Sequence, residues 1–256
     1  MGPMLGTVQA GRVLEVTLCR PPVNALNDEL IAELDAVLDR VTLEADIAVL
    51  HIRSDQKTFC AGADLALMHA CLGSPEGLEA MVELVRRMQR LFARIENAPA
   101  VTIAEIGGAA VGGGLELALA CDLRVAAADA TLGLPEVRLG LLPAAGGTQR
   151  LTRLCGHGIA RRLILGAELV TGLEAERLGI VQWAQPRAQL ADWTREMAAR
   201  FAALPKAAQG AIKRCIAAAG DPARDGYAEE IAETRTLYDH PETRRKVLEF
   251  LNRRAA

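Results

Sequence analysis

Apolar and polar positions along the chain follow two periods that take turns. Val13-Leu14-Glu15-Val16-Thr17-Leu18 is rich in aliphatic and β-branched residues and stops at Arg20-Pro21-Pro22, which predicts a strand closed by a rigid turn. Asn27 then suits a helix N-cap, and Leu30, Leu34, Val37, Leu38 and Val41 recur at helical spacing with acids between them. Residues 47–52, Ile-Ala-Val-Leu-His-Ile, read as a buried strand, so the opening is a strand, helix, strand unit. A second helix is predicted over residues 77–95, with Leu78, Met81, Val85, Met88, Leu91, Phe92 and Ile95 on one face and Pro99 beyond its end. Its Met and Phe positions are expected to be core.

Short strands are predicted at residues 101–104, 122–126 and 131–132, and one more at residues 180–183. Helices are expected at residues 148–154 and 159–165, and at residues 172–178 with Gly179 as the stop. From about Arg187 onward the pattern is helical, with Pro205 and Pro241 at first-turn positions and apolar stripes through Ile212, Ile216, Ile231, Leu237, Val247, Leu248 and Leu251. Such a tail needs a surface to pack on, and a neighbouring subunit is one source.

At 256 residues the chain is long enough for one large domain with an appendage. Its balance is globular, with aromatics at only 3%, which disfavours recognition of nucleic acid by stacking. The net charge is −3, although Arg244, Arg245, Lys246, Arg253 and Arg254 make the C-terminus locally basic. The six cysteines are scattered without C-x-x-C spacing and are expected to be reduced core thiols. No apolar run is long enough to span a bilayer, so a soluble cytoplasmic protein is expected.

Several chemistries fall away on the motifs. Ser54 and Ser74 are the only serines and neither stands in G-x-S-x-G; the glycine clusters match neither G-x-G-x-x-G nor a Walker A loop. The four histidines lack metal-ligand spacing, and no metal site is expected.

What remains centres on Gly112-Gly113-Gly114-Leu115-Glu116. Glycines are poor inside a helix but suit its mouth, where bare amides form a site for an anion or a developing oxyanion. Glu116 falls in the first turn, and a second carboxylate, Glu136, follows Gly133-Leu134-Pro135. Two readings fit these residues. Either two amides stabilise an enolate while two carboxylates divide acid and base work around a water, or Glu116 simply complements the helix dipole and Glu136 follows a proline turn.

Arg20-Pro21-Pro22-Val23-Asn24-Ala25-Leu26, Phe59-Cys60-Ala61-Gly62-Ala63-Asp64-Leu65, Gly112-Gly113-Gly114-Leu115-Glu116-Leu117-Ala118, Pro135-Glu136 with Leu139-Gly140-Leu141-Leu142-Pro143, and Gly146-Gly147-Thr148-Gln149-Arg150-Leu151 together resemble the crotonase superfamily, and most closely its enoyl-CoA hydratases. The resemblance runs from about residue 12 to 250. It implies an α/β fold, the crotonase spiral of ββα units over residues 1–195, followed by a helical C-terminal trimerisation region over residues 196–256. It also implies an oxyanion hole from the N–H groups of Ala63 and Gly113, Glu116 and Glu136 as the catalytic carboxylates, and an acyl-CoA thioester contacted by Ala61, Ala63, Asp64, Leu65, Ala66 and Gly113. No cofactor is implied beyond the CoA of the substrate.

Family isomerases commonly keep only one of the two acids, so hydration of a trans-2-enoyl-CoA is the favoured activity, with an isomerase or another acyl-CoA enzyme of the family as the alternative. A homotrimer or dimer of trimers is implied as the assembly. Some hydratase relatives bind RNA, a minor reading for this acidic chain. Three departures from the family pattern bear on CoA and acyl recognition: Ala66 replaces a common lysine, Ala144 a usual glycine, and the last helix lacks the common Glu-Gly pair.

Overall fold

The computed structural model describes residues 3–255; the side chains of Arg253 and Arg254, two of the basic C-terminal residues, lie outside the described residues. The chain opens with an antiparallel pair, β1 (Leu5–Ala10) and β2 (Val13–Leu18), turning at Gly11, whose φ of 58° suits glycine. Helix α1 (Asp28–Leu43) begins where Asn27 accepts a hydrogen bond from the Leu30 amide, and the predicted stripe Leu30, Leu34, Val37, Leu38 and Val41 is its buried face. A spiral follows. Strands β3 (Val49–Ser54) and β4 (Thr58–Cys60) lead to helices α2 (Leu65–Cys71) and α3 (Pro75–Glu96). Strands β5 (Val101–Ile106) and β6 (Ala109–Val111) lead to α4 (Gly113–Ala120). Strands β7 (Leu123–Ala127) and β8 (Thr131–Gly133) lead through a 3-10 turn at Glu136–Leu139 to α5 (Gly147–Leu165).

In each round the first strand joins one sheet and the second joins another. Among the described residues one sheet runs β1-β2-β3-β5-β7-β10 and the other β4-β6-β8-β9, where β9 is Val170–Thr171 and β10 is Trp183–Gln185. Beyond the β1–β2 hairpin, the first sheet is parallel throughout. In the second, β4, β6 and β8 are parallel and β9 runs against β8. Parallel strands covered on both faces lose their alternation, which is why every residue of β5 is buried.

Helices α6 (Gly172–Arg177), α7 (Arg187–Ala202), α8 (Lys206–Ala218), α9 (Gly226–Asp239) and α10 (Pro241–Ala255) complete the chain. The expected domain boundary at residues 195/196 falls inside α7, whose buried Leu190, Thr194, Met197, Ala198 and Ala202 lie on both sides of it. Helix α7 packs on the first sheet and so shares the core of the spiral. Farther on, Ile216, Ile231, Leu248 and Leu251 are 55–69% exposed in the single chain.

The structure corrects four sequence expectations, the first being the core placement of the six cysteines, of which only Cys60 and Cys121 are buried. The strand expected at residues 180–183 begins only at Trp183, because Ile180 and Val181 are buried in a turn that bonds back to Ala175. The helices expected at residues 148–154 and 159–165 are one element kinked at Gly156, which has φ 79°. Leu78 is 62% exposed, since the first turn of α3 extends past the core. Among the described residues no helix is long and apolar enough to cross a membrane.

Candidate active site

The parallel strands β4, β6 and β8 end side by side, and each is followed by one part of the predicted site. After β4 the chain passes through Ala61, Gly62 and Ala63 to Asp64. Gly62 has φ 91°, and its carbonyl accepts from the Leu26 amide at 2.7 Å while the Asp64 amide donates to the Leu26 carbonyl at 3.1 Å. These two bonds flank Ala63, so its own N–H points to the opposite side of the segment. Ala61 is fixed by its amide donating to the Val23 carbonyl at 3.0 Å.

After β6 comes the glycine mouth. Gly112 has φ 56°, donates to the Gly133 carbonyl at 3.0 Å, and accepts from the Leu115 and Glu116 amides as α4 begins. Gly113 packs on Gly62: a Cβ on Gly62 would lie 3.0 Å from the Gly113 nitrogen, and one on Gly113 would lie 3.3 Å from the Gly62 Cα. This contact brings the amide of Ala63, one residue on, beside that of Gly113. Neither amide donates to another described residue. Gly114 is required for a different reason, since a Cβ there would meet the Cys60 carbonyl oxygen at 2.0 Å. All eight residues of α4 are buried, which leaves the field of its N-terminus weakly screened.

Glu116 is only 2% exposed, and its Oε1 accepts from the Gly147 amide at 2.7 Å, at the start of α5. Gly147 must lack a side chain, because a Cβ would come within 2.9 Å of that same oxygen. Burial pushes the Glu116 carboxyl up to about 7, and the charge of Glu136 adds to the effect while the Gly147 hydrogen bond opposes it. Glu136 opens the 3-10 turn after β8, and its Oε1 is 3.1 Å from where a Gly112 Cβ would stand. Its Oε2 is buried without a hydrogen-bond partner among the described residues, and burial raises its carboxyl as well. The two catalytic candidates thus reach one glycine mouth, with protons held more tightly than in water.

The outer rim is more open. Asp64 caps α2 by accepting from the amides of Ala66 at 2.9 Å and Leu67 at 3.3 Å, while Leu65 is 60% exposed and Ala66 is exposed. Arg20 clamps this rim, donating to Asp64 Oδ2 at 2.5 Å and to the Ala25 carbonyl at 2.7 Å, and it holds the Asp64 carboxyl below the usual range. All eight predicted site residues therefore come to one region: Ala63, Gly113, Glu116 and Glu136 at its centre, and Ala61, Asp64, Leu65 and Ala66 along the segment leading in. Sequence reasoning missed Gly147 as the partner of Glu116, and it treated Met88 as core alone. Met88 is buried, but its Cε also lies 2.8 Å from where a Gly113 Cβ would be. The signal for Gly147 was present in Gly146-Gly147-Thr148, a second paired-glycine helix start.

A glycine mouth with two free amides, one buried carboxylate and one half-buried one, set at the strand ends of a ββα spiral, matches one family in particular. The chain belongs to the enoyl-CoA hydratase/isomerase family, whose model matches residues 9–256. It is 41% identical over 191 residues to a probable enoyl-CoA hydratase of Bacillus subtilis (strain 168), covering 74% of this chain and 72% of that one. It is 37% identical over 190 residues to the short-chain-enoyl-CoA hydratase of Clostridium acetobutylicum, covering 73% and 71%. The crystal structure of an enoyl-CoA hydratase from Bacillus anthracis superposes with a TM-score of 0.91 at 31% identity, covering 98% of this chain and 96% of that one.

Proposed function

We propose that this chain hydrates a trans-2-enoyl-CoA to a 3-hydroxyacyl-CoA. The observation that supports this reading above others is the convergence of Glu116 and Glu136 on the mouth that also presents the Ala63 and Gly113 amides. The thioester carbonyl oxygen accepts from those two amides, each contributing roughly 3 kcal/mol once the oxygen becomes an enolate. The carboxylate pair carries one proton between its members. The ionised member takes a proton from water as the water oxygen bonds to the β-carbon and the π electrons move onto the thioester oxygen. The enolate then collapses as the protonated member delivers its proton to the α-carbon. One water has been added, and the pair again holds one proton.

Glu116, held on the Gly147 amide, and Glu136, over Gly112, lie near enough to act on each other's charge, so oxygen and proton add to one face of the double bond. Such a division needs pKa values lifted toward neutrality, and burial supplies that for both acids. In this reading CoA enters as part of the substrate, in a cytoplasmic enzyme of lipid metabolism. The exposed apolar residues of α8 to α10 are covered by neighbouring subunits of a trimer or a dimer of trimers.

The test uses crotonyl-CoA and the ultraviolet absorbance of its conjugated thioester. Hydration removes that absorbance. Unchanged absorbance, with conversion of a 3-enoyl-CoA to its 2-isomer by the same preparation, replaces hydration with isomerisation.

A further inference from the structure

Arg150 lies on α5, one turn past Gly147, and its side chain is only 11% exposed. Its Nη1 donates to the Ala145 carbonyl at 3.1 Å, while Nε and Nη2 donate to Glu96 Oε2 at 3.1 and 2.8 Å, at the last residue of α3. The guanidinium also fills the space beside Gly146, whose φ is 111°: a Cβ there would fall 2.2 Å from Nη1. The next amide along, that of Gly147, donates to Glu116 Oε1. One line of contacts therefore runs from Glu96 through Arg150 to the Ala145–Gly147 backbone and ends on a candidate catalytic carboxylate.

We infer that Arg150 is a positioning residue for the hydration proposed above, aiming the Gly147 amide at Glu116 by holding the segment before it and setting a positive charge behind that carboxylate. The inference rests on the hydration reading. An arginine serving only to tie α3 to α5 needs the Glu96 contact alone; the bond to Ala145 and the occupation of the Gly146 side-chain space go further. The charged and titratable groups around Glu116 are few. The 3-10 turn contributes Glu136, α5 contributes Arg150, and α3 contributes Glu96 behind Arg150; the Cys60 thiol of β4 donates to the Asn24 carbonyl instead, and β6 holds no titratable residue. Burial and Glu136 favour the protonated acid, whereas the Gly147 amide, the Ala145 amide and, last, Arg150 favour the carboxylate. Loss of Arg150 leaves the first two less opposed.

The experiment is the pH dependence of kcat and kcat/KM for crotonyl-CoA hydration by the full-length protein, as wild type, Arg150→Gln, Arg150→Lys and Glu116→Gln. Arg150→Gln is expected to lower kcat by about 10- to 100-fold, the scale of a misplaced catalytic group, with little change in KM. It is also expected to move the Glu116-linked limb of the profile to higher pH by roughly half to one unit. Arg150→Lys keeps the charge and loses the fork, so kcat falls while the limb stays in place. A limb that does not move in Arg150→Gln, with kcat reduced, makes Arg150 structural only and overturns the inference. So does wild-type kcat in either variant. If Arg150→Gln fails to fold, Arg150→Lys decides through the split between kcat and KM: a lowered kcat at wild-type KM supports the positioning role, whereas wild-type kcat, or kcat and KM altered together, refutes it. Glu116→Gln keeps the two readings apart. Full turnover there defeats the hydration mechanism itself, whereas an inactive Glu116→Gln beside an unaffected Arg150→Gln defeats only the role of Arg150.

Discussion

Glu116→Gln separates the chemical use of this carboxylate from the cost of burying it. The side chain is 2% exposed, and burial first, then the charge of Glu136, lifts its carboxyl from an ordinary 4.5 to about 7. The folded chain therefore binds this proton more tightly than the unfolded chain does, and stability falls as pH rises from the ordinary carboxylate range through 7. At about 1.4 kcal/mol for each tenfold in proton affinity, the full penalty above pH 7 is roughly 3 kcal/mol. Glutamine has nearly the same volume, still offers an oxygen to the Gly147 amide, and carries no charge at any pH.

Glu116→Gln is therefore expected to be more stable than the parent by roughly 3 kcal/mol at pH 8 and to match it near pH 4.5. Hydration of crotonyl-CoA should fall by at least about 100-fold, with thioester binding little changed. Urea unfolding at the two pH values, at one fixed protein concentration and followed by far-ultraviolet circular dichroism, measures the first effect; the absorbance assay measures the second. A stability difference that is the same at both pH values refutes the burial argument, and full turnover refutes the catalytic one.

Gly114→Ala puts a methyl group 2.0 Å from the Cys60 carbonyl oxygen, so α4 must move off β4. A stability loss of about 1–3 kcal/mol is expected, together with a drop in turnover, read as a lower melting temperature and a reduced kcat. Gly11→Ala is its control: with φ 58° and nothing within 4 Å of the added methyl, it should cost only about 1 kcal/mol and leave turnover intact. His51 is fully buried, with Nε2 3.0 Å from Glu105 Oε2 and Nδ1 3.6 Å from Glu15 Oε2. Burial alone would raise the Glu105 carboxyl, but His51 and Arg53 outweigh it and hold it below the usual range, so its stabilising effect is present at neutral pH and lost on acidification. His51→Leu takes one of the two partners from Glu105 and leaves Arg53 at 3.3 Å, so it should destabilise by about 1–3 kcal/mol at pH 7 and by less near pH 4, measured by urea unfolding.

The sequence revealed most where a face is buried for several turns or residues. Asn27 with the stripe from Leu30 to Val41 could be read directly, because an N-cap and a helical period coincide there. Strands β4 and β6 could not, since each is three residues set among the small and glycine-rich residues 58–63 and 107–114, which read as turns. Helix α2 was invisible for the opposite reason: it buries no residue, and the Asp64 cap rather than an apolar stripe marks its start.

The site followed the same division. Gly112 to Glu116 identify themselves as a helix mouth with an acid in its first turn. What they face depends on the pairing of strands that the sequence does not display. Ala110 pairs with Cys60 on one side and Leu132 on the other, and this register places the turns after β4 and β8 against the turn after β6. Gly62 thereby meets Gly113, and Glu136 covers Gly112. The twenty residues that separate Glu116 from Glu136 in sequence are one round of the spiral, so adjacent strands deliver both acids to one edge. The same geometry explains why the Gly147 amide escaped sequence reasoning. Gly146-Gly147 marks a helix start in the sequence, but the return of that start to Glu116 is set by how α5 packs on α4.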